Sequence, residues 1–327
     1  MRCFVTGISG FAGVHLAALL ARRGDQVFGM SREPSRALAE LHEREADRVP
    51  ASAVEYFDMR DRDRLRAAIR RTSPDAVFHL AGLSFPPQSF AEPDMTYAVN
   101  FLGTVDLLGA VLDHAPRARV VCVTTGQVYG AADDPNGLPL TEVHPLRPLT
   151  PYAVAKAAAD LAAYQFFRAH GLDVIRARPF NYTGPGQSAQ FVCSEFARAI
   201  AAAERGSGER TLRVGDLAVE RDFSDVRDVV CGYVALVERG AAGEAYNLAS
   251  GSATSVRAIL DQLRELARVD VQVEHDSSKV RRNDVSRIVG SIAKIRDTVG
   301  WRPEIPLRQT LADLLESWRG QLTEASA

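Results

Sequence analysis

The first 178 residues alternate short apolar runs with longer stretches in which apolar residues recur at helical spacing. The short runs cover residues 2–6, 26–30, 54–58, 76–82, 119–123 and 172–178. Continuous apolar runs of this length are typical of strands buried on both faces, and the stretches between them are long enough for crossover helices. The pattern therefore predicts an α/β fold built on a doubly wound parallel sheet.

Beyond residue 178 the pattern changes. Residues 179–187 are rich in Gly and Pro, which after a strand is typical of a domain boundary. Helical spacing follows at 191–204, 226–238, 255–267 and 307–318, and the run 245–248 predicts a strand that returns to the first sheet. We expect one domain of residues 1–178 plus about 222–250, and a smaller mixed α/β domain of about 179–221 plus 251–327.

Composition and charge argue against several classes of protein. The 327 residues are 46% hydrophobic with a formal net charge of -2, which gives no electrostatic reason to expect a nucleic acid or a membrane surface as partner. The four cysteines are scattered without paired spacing, so no zinc or other metal site and no disulfide framework is expected. No apolar run approaches the ~18 residues of a membrane span. We therefore expect a cytoplasmic protein.

Three glycines follow the first strand. Gly7, Gly10 and Gly13 open a helical stretch, with Phe11 between them. Glycines at a strand-to-helix turn permit a tight turn and close approach of the backbone to a phosphate, while free N–H groups at the helix start face the anion. The stretch is predicted to bind a dinucleotide pyrophosphate in a Rossmann domain, with a purely structural turn as the alternative.

The end of the second strand favours NADP over NAD, although NAD stays the alternative. A Rossmann protein selects the adenosine ribose there, and no acidic residue stands at that position. Ser31, Arg32 and Arg36 instead offer a hydroxyl and guanidinium groups to a 2′-phosphate. The residues after the third and fourth strands expected to contact the cofactor are Asp58, Met59, Leu80, Ala81 and Gly82.

Tyr152 and Lys156 lie four residues apart in an alanine-rich stretch that favours a helix. Positions i and i+4 share one helix face, and an ammonium one turn away favours the phenolate of a tyrosine whose ordinary pKa is about 10. Pro151 suits a first helical turn, which would place Tyr152 near the positive end of the helix dipole. The pair predicts proton transfer, although the same spacing also occurs by chance on ordinary helices.

Thr125 stands just beyond the fifth strand, where parallel sheets place their ligands. We expect Thr125 to hydrogen-bond a substrate carbonyl that Tyr152 protonates, the alternative being a hydroxyl that caps the strand end. His79, inside the fourth strand, is expected to be a buried, hydrogen-bonded histidine and not a catalyst.

These motifs together resemble the extended short-chain dehydrogenase/reductases that act on nucleotide sugars. The resemblance rests on the glycines, His79-Leu-Ala, Asn100, Thr125 and the Tyr152 to Lys156 spacing, and it covers nearly the whole chain. It implies that Thr125 and Tyr152 contact the reacting oxygen, that Lys156 holds the nicotinamide ribose, and that Asn100 supports the lysine. It also implies a homodimer or a dimer of dimers.

Blocks in the second half narrow the resemblance to GDP-mannose 4,6-dehydratases and GDP-4-keto-6-deoxy-D-mannose reductases. Residues 178–187 are similar to their Arg-Pro-Phe-Asn-His-Thr-Gly-Pro-Gly-Gln block, with Tyr182 in place of His. Residues 214–230 and 281–285 are similar as well, which implies phosphate contacts for Arg221 and for Arg281 or its neighbour Arg282. Pro179 joins the cofactor candidates. The residues implied to contact a GDP-sugar are Ser84, Gln127, Asn181, Val192, Arg221 and Arg281.

Gln127 decides between the reactions of this group. A dehydratase of the family places a carboxylate two residues after the catalytic threonine, and an amide cannot act as a general base. We therefore expect an NADPH-dependent reductase that acts on C4 of a GDP-4-keto-6-deoxyhexose and gives GDP-D-rhamnose. The alternatives are a nucleotide-sugar 4-epimerase with a recycled cofactor, a GDP-mannose 4,6-dehydratase, and an NADP-sensing protein without turnover.

Overall fold

The computed structural model describes residues 1–131, 138–279 and 285–324. Its strands are β1 (Arg2–Thr6), β2 (Gln26–Ser31), β3 (Val54–Tyr56), β4 (Ala76–His79), β5 (Arg119–Val123), β6 (Val174–Pro179), β7 (Asn181–Thr183), β8 (Thr211–Val214), β9 (Glu220–Asp225), β10 (Ala245–Leu248), β11 (Ala253–Ser255), β12 (Gln272–His275) and β13 (Arg287–Ile288). Its α-helices are α1 (Phe11–Arg22), α2 (Arg36–Arg44), α3 (Arg62–Thr72), α4 (Pro86–Ala91), α5 (Pro93–Tyr97), α6 (Gly103–His114), α7 (Pro151–His170), α8 (Val192–Glu204), α9 (Val226–Arg239), α10 (Val256–Leu266), α11 (Ala293–Val299) and α12 (Leu307–Glu324).

A seven-stranded parallel sheet has the order β3-β2-β1-β4-β5-β6-β10. The predicted α/β fold is confirmed, and so is the return of residues 245–248, since β10 pairs with β6. The strand order reverses between β1 and β4. Such a switch point opens a crevice at the carboxyl ends of the strands, where doubly wound sheets bind ligands.

Helices cover both faces of this sheet, as the uninterrupted apolar character of its strands requires. Successive residues of β1 divide between the two layers: Cys3 and Val5 pack with residues of α1 and α9, whereas Phe4 packs with residues of α3 and α6. The period of two along a strand thus distributes one short apolar run over two hydrophobic cores.

The remaining strands form a second lobe, which consists of β7–β9 and β11–β13 with α8, α10 and α12. In it β9 pairs with β7, β11 and β13, and β8 pairs with β12. Its apolar core lies between α8, α10 and α12 and includes Phe196, Ile200, Leu260 and Leu311. Helix α11 departs from this arrangement, because Ile295 and Val299 pack on the core of the first sheet.

Helices α5 and α6 are joined by the π-helical turn Ala98–Leu102 into one helical stretch, Pro93–His114. Among the described residues this stretch alone has the length and apolar composition of a membrane span, which we did not expect from the sequence. In the fold it contacts α3 and α7, and Leu107 and Val111 are fully buried in the core. The apolar composition of the stretch therefore also serves the packing of the first sheet.

Candidate active site

One cleft of about 1800 Å³ runs along the carboxyl ends of the parallel strands and continues between the sheet and the second lobe. Most of the residues singled out from the sequence line it: Gly7, Gly10, Phe11, Gly13, Ser31, Arg32, Asp58, Met59, Leu80, Ala81, Gly82, Ser84, Thr125, Gln127, Tyr152, Pro179, Asn181, Val192 and Arg221. Of the other described candidates, Arg36, Asn100 and Lys156 lie outside its lining. Arg281 and Arg282 fall outside the described residues.

The glycine turn brings backbone, and no side chain, to the end of β1. Gly7 has a φ of +72°, and a Cβ atom there would lie 2.9 Å from the Cα of Ala81. A Cβ atom on Gly13 would lie 2.2 Å from the carbonyl oxygen of Gly7, so helix and turn approach more closely than any side chain allows. The start of α1, with Gly10 at its N-cap, therefore exposes N–H groups to the cleft at a site suited to a phosphate.

The end of β2 combines a buried hydroxyl with an exposed guanidinium. The Ser31 hydroxyl lies 2.5 Å from that of Ser9, which in turn donates to the carbonyl of Glu33. Arg32 is exposed and pairs with the Glu33 carboxylate at 3.2 Å, whereas Arg36 pairs with Glu40 on α2. Sequence reasoning missed Glu33, which lies two residues past the strand end and also lines the cleft.

Tyr152 meets Thr125 in the middle of the cleft. Thr150 caps α7 by accepting a hydrogen bond from the Ala153 N–H at 3.0 Å, which fixes Tyr152 in the first turn of the helix. Burial raises the pKa of Tyr152, the nearby Tyr182 raises it further, and a hydrogen bond with Thr125 acts in the opposite direction. The net shift of the Tyr152 pKa is upward, opposite to the direction expected from its spacing to Lys156, because burial outweighs the other effects.

Lys156 lies beneath the cleft lining. Its ammonium donates to the carbonyl of Val123 at 2.9 Å, and burial lowers its pKa. A Cβ atom on Gly82 would lie 3.4 Å from the Lys156 Nζ and 2.9 Å from the Asn100 Oδ1, so both polar groups reach the backbone of the turn after β4. Only the absence of a side chain at Gly82 leaves this space beside the ammonium.

Asn100 lies in the π-helical turn, a feature that is frequent at functional sites. Its amide accepts from the Leu83 N–H at 2.8 Å and donates to the Leu83 carbonyl at 3.0 Å. The side chain thus fastens the loop after β4 to the long helical stretch. The sequence resemblance placed Asn100 beside the lysine, and its described contacts add this role of holding the loop.

His79 is a buried structural residue, as expected. Its two ring nitrogens each lie 2.8 Å from a threonine hydroxyl, those of Thr6 and Thr104. Burial and then the charge of Lys156 lower its pKa to about 3, so the ring is neutral. A neutral ring with both nitrogens engaged links β1, β4 and α6.

The carboxylate of Asp160, one turn after Lys156 on α7, was not singled out from the sequence. It is fully buried and accepts hydrogen bonds from Arg178 at 2.7 and 2.8 Å and from Arg176 at 2.7 Å. Burial alone would raise the pKa of Asp160, but the hydrogen bonds and charges of the two arginines lower it overall. The ion cluster ties α7 to β6.

Two further residues of the cleft were not assigned from the sequence. Tyr182 on β7 stacks on Phe11 with ring centroids 5.8 Å apart, which connects the second lobe to the start of α1.

Asp222 on β9 is buried and accepts hydrogen bonds from the backbone N–H groups of Ser250, Gly251 and Gly290. Burial raises the pKa of Asp222, while these bonds oppose the rise. The sequence signal for Tyr182 was its replacement of a His, and the signal for Asp222 was its place within residues 214–230, which assigned it no role.

Gln127 lines the cleft close to Thr125. It lies in the single turn Gly126–Tyr129, and its N–H donates to the Thr125 hydroxyl at 3.3 Å. A Cβ atom on Gly126 would lie 2.8 Å from the Phe180 ring, so this turn is packed tightly against the end of β6. The position two residues after Thr125 is therefore fixed in space and carries an amide.

Comparison with known proteins gives a consistent result. A family model described as GDP-mannose 4,6 dehydratase matches residues 4–314. A GDP-6-deoxy-D-mannose reductase from Pseudomonas aeruginosa is 36% identical over 323 residues, which are 99% of each chain, and a UDP-glucose 4-epimerase from Mycolicibacterium smegmatis is 29% identical over 98% of this chain and 99% of its own. The solved structure of RMD from Pseudomonas aeruginosa complexed with NADPH superposes with a TM-score of 0.84 at 35% identity and covers 98% of this chain and 99% of that one.

Proposed function

The chain belongs to the GDP-mannose 4,6-dehydratase family, and from this we infer that it reduces the C4 ketone of a GDP-4-keto-6-deoxyhexose with NADPH. The product is GDP-D-rhamnose. The similarity to a GDP-6-deoxy-D-mannose reductase over the whole length of both chains supports this reaction.

The observation that carries the proposal is the side chain at position 127. A dehydratase has to abstract a carbon-bound proton and expel a hydroxyl, which requires a general acid and base in the site. The amide of Gln127 supplies neither function. Reduction of a ketone needs only a hydride, a proton donor and a group that orients the oxygen, and the cleft offers the last two in Tyr152 and Thr125.

Three residues at the cleft have different roles in the proposed reduction. Thr125 and Tyr152 both hydrogen-bond the ketone oxygen, and Tyr152 transfers its proton as the C4 oxygen becomes a hydroxyl. A phenol is protonated at neutral pH, as a proton donor has to be before the reaction, whereas burial raises the pKa of Tyr152 and by itself makes it a weaker acid. Lys156, held by the Val123 carbonyl, stabilises the phenolate that remains. NADPH, when bound, supplies the hydride and is oxidised to NADP⁺.

The cofactor is NADP, with NAD as the alternative. The side-chain-free space over Gly7 and Gly13 fits the diphosphate. Ser31 and Arg32 offer their polar groups to the 2′-phosphate, and Asp58 and Met59 line the adenine end. Arg36 is a weaker candidate than we expected, because its ion pair with Glu40 lies outside the cleft lining.

An epimerase is the second candidate, since a UDP-glucose 4-epimerase is also similar over nearly the whole chain. An epimerase uses the same hydroxyls but returns the hydride to the sugar, so it consumes no cofactor. The two reactions therefore differ in stoichiometry.

Mixing the purified protein with GDP-4-keto-6-deoxymannose and NADPH should consume one NADPH for each ketone reduced. The absorbance of reduced nicotinamide and the configuration at C4 of the product are the measurements, and NADH serves as the comparison donor. Isomerised sugar without net loss of NADPH would indicate the epimerase. Formation of a keto sugar from GDP-mannose would contradict the interpretation of Gln127.

We propose that residues 1–178 with about 222–250 bind NADP and that residues 179–221 with 251–327 bind the nucleotide sugar. The separate apolar core between α8, α10 and α12 supports the division. A substitution in the second lobe that weakens the binding of GDP but leaves that of NADPH unchanged is the result that this division requires.

We also propose that the protein forms a homodimer, or a dimer of dimers, through an apolar face on α4, α7 and the π-helical turn. Helix α7 contacts both of the other elements, and the large exposed apolar side chains of the three include Phe90, Leu102, Leu161 and Tyr164. A continuous exposed apolar face on neighbouring helices is typical of a protein interface.

Replacing Leu161, which is 57% exposed, with Asp should convert a two-chain particle into single chains by placing a charge in the interface. Sedimentation equilibrium gives the mass. Val143→Asp is the matched control, because Val143 is 92% exposed but lies on the loop before α7 and not on these helices. A wild-type protein that sediments as a single chain would refute the dimer.

A further inference from the structure

The second lobe contributes an apolar slot to the cleft. Its walls are formed by the first turn of α8 and by the segment from β8 to β9. The apolar residues that line it are Val192, Phe196, Val214, Leu217 and Val219. All but Val192 are buried, and Val192 and Phe196 share one face of α8 because they are four residues apart. Apolar walls of this kind fit the faces of a planar base.

A carboxylate and an ammonium lie together at this slot. Glu195 comes from the same face of α8, and Lys279 comes from the turn that follows β12. Their side chains form an ion pair at 2.6 Å, and the Lys279 ammonium also donates to the Arg213 carbonyl at 2.9 Å. Both side chains line the cleft and remain about 40% exposed, at 41% and 40%, so each still presents polar atoms to a ligand.

The position of Lys279 is set by close backbone packing. A Cβ atom on Gly215 would lie 2.7 Å from the Lys279 carbonyl oxygen, and the Asp276 N–H donates to the Val214 carbonyl at 2.8 Å. An ion pair on an open surface has neither constraint and contributes little to stability. The backbone packing holds Lys279 against the end of β8, beside the apolar slot. A charged group held in place beside an apolar slot is suited to recognise the polar edge of a ligand.

The polar edge of guanine matches this pair. Guanine presents two adjacent donors, N1–H and the N2 amino group, next to the acceptor O6. A carboxylate accepts from both donors at once, and an ammonium beside it donates to O6. Adenine would turn an acceptor towards the carboxylate, and uracil has one donor between two acceptors.

We propose that Glu195 and Lys279 determine specificity for the base by binding the guanine edge of the substrate, an inference that rests on the proposed function at a GDP-sugar. Glu195 accepts from N1–H and the N2 amino group, and Lys279 donates to O6. The ion pair between them holds both groups in place before the nucleotide binds.

The test measures the binding of GDP, IDP and UDP to the NADPH-bound protein by calorimetry. IDP lacks the N2 amino group, so the wild type should bind GDP about tenfold more tightly than IDP, as expected for one hydrogen bond to a charged group. Glu195→Gln should lower the affinity for GDP about tenfold or more and bring the ratio of GDP to IDP affinity close to one. Lys279→Met should lower the affinities for GDP and IDP by the same factor, because both bases carry O6.

Glu274→Gln is the matched control. Glu274 also pairs with an arginine, Arg213, at 3.8 Å, but Glu274 does not line the cleft. The control should leave the affinity for GDP unchanged, and all three variants should bind NADPH as the wild type does. A Glu195→Gln variant that keeps the wild-type ratio of GDP to IDP affinity would overturn this inference alone. A wild-type protein that prefers UDP to GDP would overturn the proposed substrate as well.

Discussion

Replacing Tyr152 with Phe should lower kcat for ketone reduction by about 10²- to 10⁴-fold, which is the range contributed by a positioned acid. The substitution removes one hydroxyl and keeps the ring, so the packing of this buried residue at the start of α7 is preserved. Thr125 remains to orient the ketone, but no phenolic proton is available. Steady-state oxidation of NADPH with the ketosugar measures the effect.

Tyr164→Phe is the control for this experiment, because Tyr164 lies on the same helix but is 43% exposed. It should retain the wild-type rate. Binding of NADPH should be similar in both variants, which separates loss of chemistry from loss of the fold. If Tyr152→Phe turned over as fast as the wild type, Tyr152 would not be the acid, and another group would have to donate the proton. Absence of turnover by the wild type itself would instead favour the NADP-sensing protein.

Replacing Asp160 with Ala should lower the free energy of unfolding by about 3–5 kcal/mol, the usual cost of removing one partner from a buried ion pair. Asp160 is fully buried, and Arg178 is only 3% exposed, so the substitution leaves a guanidinium without its counter-charge in the core. Because Lys156 lies one turn earlier on α7, the remaining folded protein should also lose activity. Urea unfolding gives the free energy.

Two comparisons make the Asp160 experiment specific. Asp297→Ala removes an exposed carboxylate that pairs with Arg296 at 2.7 Å, and it should lower the free energy of unfolding far less than Asp160→Ala does. The pH dependence provides the second. Since the pKa of Asp160 is lowered in the folded protein, its stabilising contribution is present above the ordinary carboxyl pKa and is lost as the pH falls through the lowered value. If Asp160→Ala lowered the free energy of unfolding at neutral pH by no more than Asp297→Ala does, the stabilising role of the ion cluster would be contradicted.

The sequence predicted the parts of the molecule that depend on local patterns. Apolar runs gave the strands of the parallel sheet, since a strand buried on both faces has no polar position to interrupt it. The glycine turn was predictable because Gly7 and Gly13 leave room for other backbone atoms and nothing else fits. Tyr152 was found from its spacing to Lys156 and from Thr125 at the end of the preceding strand.

The parts that the sequence did not reveal depend on which distant groups meet. Asp160 joins Arg178 across 18 residues, and Glu195 joins Lys279 across 84, so neither pair leaves a periodic signal. Arg36 could serve a phosphate or the carboxylate of Glu40 one helical turn away, and the sequence alone does not decide between these two partners. The direction in which the pKa of Tyr152 shifts was misjudged, because the extent of burial, which raises this pKa, is not visible in the spacing.

The return of the chain to the first sheet has a consequence for engineering by recombination. The chain leaves that sheet after β6, builds β7–β9, returns for α9 and β10, and returns again for α11 after building β11–β13. No single uninterrupted stretch of coding sequence therefore specifies the second lobe. A chimera with one crossover point would combine strands from two parents within one core, and transplanting a nucleotide preference between relatives requires exchanging at least two separate gene segments together.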